Sequence, residues 1–169
     1  MEFRVRPDSS RGSVLDWGAG SRRCSIGRGG IAIKQREGDG VTPAGLWPLR
    51  SAFYRADRLA MPDTALPVQA LSRTDGWCDA PSDPNYNRLV SLPYEASHEN
   101  LWRQDRLYDI VVMIGFNDAP VLAGKGSAIF LHIAREGYAP TEGCVGLALP
   151  DLLDVLRVAT PASVVHITN

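Results

Sequence analysis

The chain has 169 residues, 44% hydrophobic and 22% charged, with a formal net charge of −1. That balance is ordinary for a soluble globular protein, and the length suits one domain over residues 1–169. Near-neutral charge without a basic tract argues against nucleic acid or an anionic membrane as partner, and no apolar run approaches the roughly 18 residues that span a bilayer.

From the N-terminus, Glu2 to Arg6 alternates weakly, and Ser13 to Asp16, Arg23 to Ile26 and Ile31 to Lys34 are short strand candidates split by Gly and Ser clusters. This spacing predicts an opening β-meander. The segment EGDGVTPAG, Glu37 to Gly45, is a turn-rich loop, and Leu46 to Tyr54 suggests a strand pair. Residues 57–88 lack periodicity, and DAPSDPNYNR within them reads as a long irregular loop of the kind that often carries function. Glu95 to Arg103 suggests a short helix. YDIVVMIG, Tyr108 to Gly115, is apolar on both faces and predicts a central strand, and GSAIFLHI, Gly126 to Ile133, predicts a second. Pro150 to Val158 is the clearest helix, with Pro150 and Asp151 in its first turn and Leu149, Leu152, Leu153 and Leu156 along one face. Ser163 to Thr168 closes the chain as a strand. The expected fold class is mostly β, a β-rich α+β domain with a short flanking helix near residues 150–158.

The three cysteines, Cys24, Cys78 and Cys144, form no C-x-x-C pair and no even framework, so neither a zinc site nor a disulfide scaffold is expected. No metal or other cofactor is implied. The N-terminal MEFRVRPDSSRG lacks the apolar core of a signal peptide. A cytoplasmic location with reduced thiols is therefore the expectation, with a periplasmic one the alternative if an export signal is missing.

Two glycine-rich segments are poor phosphate loops. GRGGIA, from Gly27, runs into a predicted strand rather than a helix, and GKGS, from Gly124, has Ala119 where the first glycine of a P-loop belongs. Of the three histidines, His98 and His166 read as solvated or structural. His132 sits in an apolar strand, sharing a face with Ala128 and Phe130 while Ile129, Leu131 and Ile133 take the other. Alone it reads equally well as a satisfied core histidine. Cys144 follows it by twelve residues, enough for the chain to leave the strand and return beside it. A neighbouring histidine can take the proton of a thiol whose ordinary pKa is about 8.5 and expose a nucleophile. Gly143 lets the backbone turn tightly and lets a carbonyl approach the Gly143 and Cys144 N–H groups, an oxyanion hole. Cys24 and Cys78 lack such a setting.

His132 in SAIFLHI, followed by Thr141, Gly143 and Cys144 in TEGCVGL, resembles the histidine and Ser/Thr-x-Gly-Cys signature of the L,D-transpeptidase (YkuD-type) catalytic domain. GDGVTPAGLWPL is similar to that family's early Thr-Pro-x-Gly segment, and DPNYNR and YDIVVMIGFN extend the likeness over roughly residues 24–158. Glu142, Ile133 and Gly146 stand where many members have His, Gly and Arg, and the interval from His132 to Cys144 is short, which reshapes the acceptor side of the cleft.

The resemblance implies a β-sandwich catalytic domain and acyl transfer on peptidoglycan stem peptides. It makes Cys144 the nucleophile, His132 the general base and then acid, Gly143 part of the oxyanion hole, and a backbone carbonyl the group that orients the histidine. With no export signal visible, the expected reaction is L,D-carboxypeptidation, removal of a terminal D-alanine from a recycled or precursor murein tetrapeptide. L,D-transpeptidation or D-amino-acid exchange is the alternative. A non-catalytic peptidoglycan-binding module, another cysteine amidase and a structural β-domain are the rivals. Arg135 is the foremost candidate to hold a substrate carboxylate, ahead of Lys34 and Arg36. Thr141 is expected to orient the turn, and Tyr86 and Asn87 to line the cleft or hold their loop together. The expected partner is a muropeptide or stem peptide, met by a monomer, with no nucleic acid and no membrane.

Overall fold

The computed structural model describes residues 1–18 and 20–169. Phe3 and Val5 are buried and Glu2 and Arg4 exposed, the period-two pattern of a half-buried strand. This is β1 (Glu2–Asp8), and it opens the expected meander with β2 (Gly12–Trp17) and β3 (Gly20–Ser25), each pair antiparallel. β4 (Ile31–Ala32) and β5 (Thr42–Pro43) form a short parallel pair across the loop between them. β6 (Gly45–Tyr54) is one ten-residue strand rather than the strand pair suggested by its length.

Residues 57–88 are less irregular than their composition suggests, because they contain β7 (Val68–Ala70) and β8 (Asp75–Cys78). β8 is the middle of a small antiparallel sheet between β9 (Leu89–Ser91) and β10 (His98–Asn100). β10 corrects the helix expected over Glu95 to Arg103. That segment lacks an apolar stripe of helical period, and its backbone instead pairs with β8 in the register His98 to Cys78.

β11 (Ile110–Ile114), β12 (Phe130–Ile133), β13 (Val145–Leu147), α1 (Leu149–Val158) and β14 (Val164–Ile167) complete the chain. Strands β6, β11, β12, β13, β3, β2, β1 and β14 are hydrogen-bonded in that order, and β14 returns to β6, so the circuit closes. This is the β-rich architecture with one short helix that the sequence indicates. Alternation explains the two apolar clusters. Ile110, Val112, Ile114 and Leu131 join Phe3, Val5, Leu15, Leu147 and Val165 in the main core, while Val111, Met113 and Phe130 face a second cluster with Phe53, Leu71, Leu101, Tyr108 and Cys144. The helix places Leu152, Val155 and Leu156 in the main core, with Pro150 and Asp151 in its first turn and an Asp151–Arg22 ion pair of 2.9 Å tying it to β3. No helix among the described residues is long and apolar enough to cross a membrane.

Candidate active site

β12 and β13 run parallel in the register Leu131 to Val145 and His132 to Gly146. This register carries the site. Cys144, just ahead of β13, falls beside Phe130, and His132 lies two residues further along the same face. Strand spacing and rise place the two α-carbons roughly 8 Å apart, within reach for facing side chains. The face is the outer one, as the alternation of β12 predicts. Phe130 and Cys144 belong to the second cluster, and the His132 ring meets the Tyr108 ring edge-on at 5.4 Å.

Nδ1 of His132 donates to the carbonyl of Ile133 at 2.8 Å. The group that orients the imidazole is thus the carbonyl of the very next residue, and Nε2 is left as the unprotonated nitrogen. The Cys144 thiol donates to the Ala128 carbonyl at 3.1 Å and accepts the Phe130 N–H at 3.4 Å. At rest the sulfur is therefore held by β12 and the residues before it, and its proton must turn from Ala128 towards His132 before transfer. Burial pushes the thiol up to about 12, aided by the Glu99 carboxylate, and burial pushes His132 down to about 4. The resting pair is a neutral thiol beside a neutral imidazole.

The turn ahead of Cys144 is built by Thr141. Its hydroxyl donates to the Cys144 carbonyl at 2.6 Å and accepts the Gly143 N–H at 3.1 Å. Gly143 has φ +138, and a Cβ there would lie 2.8 Å from the Val41 carbonyl oxygen, so the position demands glycine. The expected oxyanion hole is accordingly halved. The Gly143 N–H is already committed to Thr141, whereas the Cys144 N–H has no partner among the described residues. The turn is anchored from behind by Thr141 N–H to Ile26 and Arg28 N–H to Thr141, each 2.9 Å. Glu142 is exposed and forks onto Arg28 Nε at 3.0 and 2.9 Å. Gly146 has no room for a side chain, because a Cβ would lie 2.4 Å from Ser25 Oγ.

Cys144, His132, Arg135 and Thr141 line one cavity of about 410 Å³. Arg135 is exposed at its rim. Tyr86 and Asn87 do not line it, so of the two readings of DPNYNR, cleft wall or loop brace, the first is corrected and the second holds. Tyr86 is buried behind the cavity, where its hydroxyl donates to Glu37 and accepts the Gly126 N–H at 2.9 Å. Asn87, at φ 58, accepts Trp77 Nε1 at 3.0 Å and Ala128 N–H at 3.1 Å, and donates to the Phe116 and Asn117 carbonyls at 3.1 and 2.9 Å. Both hold the loop that presents Ala128, itself at φ 53, to the thiol. Lys34 does reach the cavity, but its ammonium is paired with Asp39 at 2.5 Å. His98, read from its polar surroundings as solvated, also reaches the wall, with Nδ1 held by the Ala96 carbonyl at 2.8 Å.

Sequence reasoning passed over the acids of that wall. Asp79, just past the end of β8, and Glu99, on β10, reach it, and Tyr108 donates to Glu99 Oε1 at 2.5 Å. Their segments read as loop and helix, so no local pattern brought them to a common site.

These parts suit covalent acyl transfer: a buried thiol, a histidine fixed with its free nitrogen as base, an unpartnered backbone N–H beside the nucleophile, and an open cavity. The family model for the L,D-transpeptidase catalytic domain, YkuD, matches residues 9–167. No match was found among the curated proteins.

Proposed function

The chain belongs to the YkuD family of L,D-transpeptidase catalytic domains, cysteine acyltransferases of peptidoglycan, and on that premise we propose that it is an L,D-carboxypeptidase. Its substrate is a murein tetrapeptide, free or attached to sugars, from which it releases the terminal D-alanine. The observation that carries the chemistry is the placement of Cys144 and His132 in one cavity, with the imidazole held by Ile133 so that Nε2 is the base. The recessed thiol favours hydrolysis. Cys144 is buried, and the loop from Ala134 to Gly143 that rims it is short. A water molecule can follow the departing alanine to such a sulfur, whereas a second peptide needs a wider approach. A cytoplasmic site of action belongs to the same proposal.

In the first half-reaction His132 Nε2 takes the thiol proton, and Sγ attacks the carbonyl carbon at the L-centre of the diamino acid. The Cys144 N–H holds the resulting oxyanion. The C–N bond breaks as Nε2–H gives its proton to the amine of D-alanine, leaving a thioester on Cys144. In the second half, Nε2 takes a proton from water, the hydroxide attacks the thioester, and the sulfur leaves and recovers a proton from the imidazolium. The products are the tripeptide and D-alanine.

The test is incubation of the protein, and of its Cys144→Ala variant, with murein tetrapeptide at neutral pH, read by mass. Loss of one alanine with wild type alone supports the proposal. A cross-linked dimer or a D-amino-acid exchange product would replace it with transpeptidation, and no reaction would favour a binding role or another amide substrate.

A further inference from the structure

A second cavity, of about 500 Å³, lies away from Cys144 and shares no lining residue with the catalytic one. It opens between the main sheet and the small sheet of β8, β9 and β10. Phe53 on β6 and the register partners Met113 and Phe130 on β11 and β12 face it from the main sheet. Trp77 on β8 and Leu89 on β9 face it from the small sheet, and Phe116 from the turn after β11. A β-bulge lies at its edge. Between the pairs Val112–Ala52 and Ile114–Leu49 the ladder of β11 with β6 slips by one residue, which sets Arg50 and Ser51 opposite Met113. The apolar walls are incompletely covered: Trp77 and Phe116 are half-buried and Leu89 is 40% exposed. An apolar recess of this volume with few polar groups has the make-up of a small-molecule site. Those polar groups are mostly spent. Arg50 forks onto Asp118 at 2.7 and 3.1 Å, and the Asn87 amide is used up by its four bonds. Arg88 differs. It is exposed, and among the described residues no carboxylate pairs with it and no acceptor holds its side chain. The mouth of the recess therefore presents one uncompensated positive charge and no uncommitted acid.

The geometry points to a second ligand site, for a small aromatic carboxylate, separate from the site at Cys144. The flat apolar body lies among Trp77, Met113 and Phe116, where it covers side chains that the fold leaves open to water. The carboxylate meets the Arg88 guanidinium, whose planar fork suits two parallel hydrogen bonds. Charge sets the choice of ligand. An amine finds no free acid at this mouth, because Asp118 is held by Arg50, and a neutral analogue gains the apolar contacts without the ion pair. The proposal does not depend on the reaction assigned to Cys144.

The methionines supply the test. Met113 is buried in the wall of this cavity, whereas Met1 and Met61 are exposed and stand outside it. The protein is labelled with carbon-13 at its methionine methyls and titrated at pH 7 with 2-naphthoate and, separately, with the uncharged 2-naphthamide. The Met113 methyl signal is expected to shift saturably with 2-naphthoate, at a Kd of about 1 mM or tighter for a ligand of that size, while the Met1 and Met61 signals stay in place. The amide should bind roughly fivefold to tenfold more weakly, the range between an exposed ion pair and a charge-assisted hydrogen bond. Arg88→Ala should bring the two ligands to equal affinity, and Arg135→Ala, at the rim of the catalytic cavity, should leave the preference intact. No saturable shift at Met113, equal binding of the two ligands by wild type, a preference that survives Arg88→Ala, or one abolished by Arg135→Ala overturns the site. The comparison of the two ligands needs no substitution, so it decides even where a variant fails to fold.

Discussion

A resting site built from a neutral thiol and a neutral imidazole has a measurable consequence in the alkylation of Cys144 by iodoacetamide. With burial holding the thiol at about 12, about one molecule in 10⁵ carries a thiolate at pH 7, against about 3% for an exposed cysteine of pKa about 8.5. Alkylation of the free protein should therefore be on the order of a thousandfold slower than that of a small-molecule thiol at pH 7. It should also climb about tenfold per pH unit from pH 6 to pH 10 without levelling. Peptide mass mapping assigns the label, which matters because Cys24 and Cys78 are buried too. A rate that is fast at pH 6 and flat to pH 9 would refute the reasoning, since it is the signature of a preformed thiolate–imidazolium pair. Slow labelling does not by itself mark a mere binding module. The thiol is expected to be quiet until a substrate fills the cavity.

Three further outcomes follow from particular contacts. Asn87→Ala removes the partner of four groups and puts alanine at φ 58, so urea unfolding should show a loss of about 3–5 kcal/mol; a loss below about 1 kcal/mol would return Asn87 to the status of an ordinary loop residue. Arg135→Ala should raise KM for the tetrapeptide about tenfold while changing kcat less, the pattern of uniform binding, and an unchanged KM would remove its carboxylate role. For Asp39, burial raises its carboxyl, but the Lys34 ammonium and the N–H groups of Val41, Arg36 and Gln35 outweigh that and hold it at about 2. Its contribution, about 1 kcal/mol after solvent screening, is present above the unfolded value of 3.8 and lost as the pH falls through 2. In acid melts the gap between wild type and Asp39→Asn should therefore narrow from pH 5 to pH 2, and a gap that stays constant would assign the effect to something other than titration.

The legible parts of this molecule are those written in covalent periodicity. Alternation along 128–133 put His132 on one face with Phe130 and Leu131 on the other, and the structure divides the two apolar clusters in the same way. Pro150 and Asp151 marked a helix start through local chemistry. What escaped was set by pairing with distant chain. Glu95 to Arg103 is a strand because of Asp75–Cys78, and Glu99 is a wall of the cavity for the same reason. Nothing in HEN distinguishes such a glutamate from a solvated one. For Tyr86 and Asn87 the polar, proline-rich loop left two readings open, a cleft wall or a brace for the loop, and only the inward turn of their side chains onto Glu37, Trp77 and nearby backbone groups decides for the brace. Thr141 was expected to orient the turn, and it does, yet its acceptance of the Gly143 N–H, which removes that donor from the oxyanion hole, depends on a rotamer no sequence displays.

The parallel pairing of β12 with β13 has a bearing on how such an enzyme could be altered. The relative position of sulfur and imidazole is set by ladder register, Leu131 against Val145, and owes nothing to the length of chain that joins the two strands. Catalytic alignment and mouth width are thus separately adjustable. A longer connection spliced between Ala134 and Pro140 would widen the entrance for a second, incoming peptide while the reacting atoms stayed where they are. The choice between water and an amine as acyl acceptor becomes a matter of upholstery rather than framework, open to change by insertion alone.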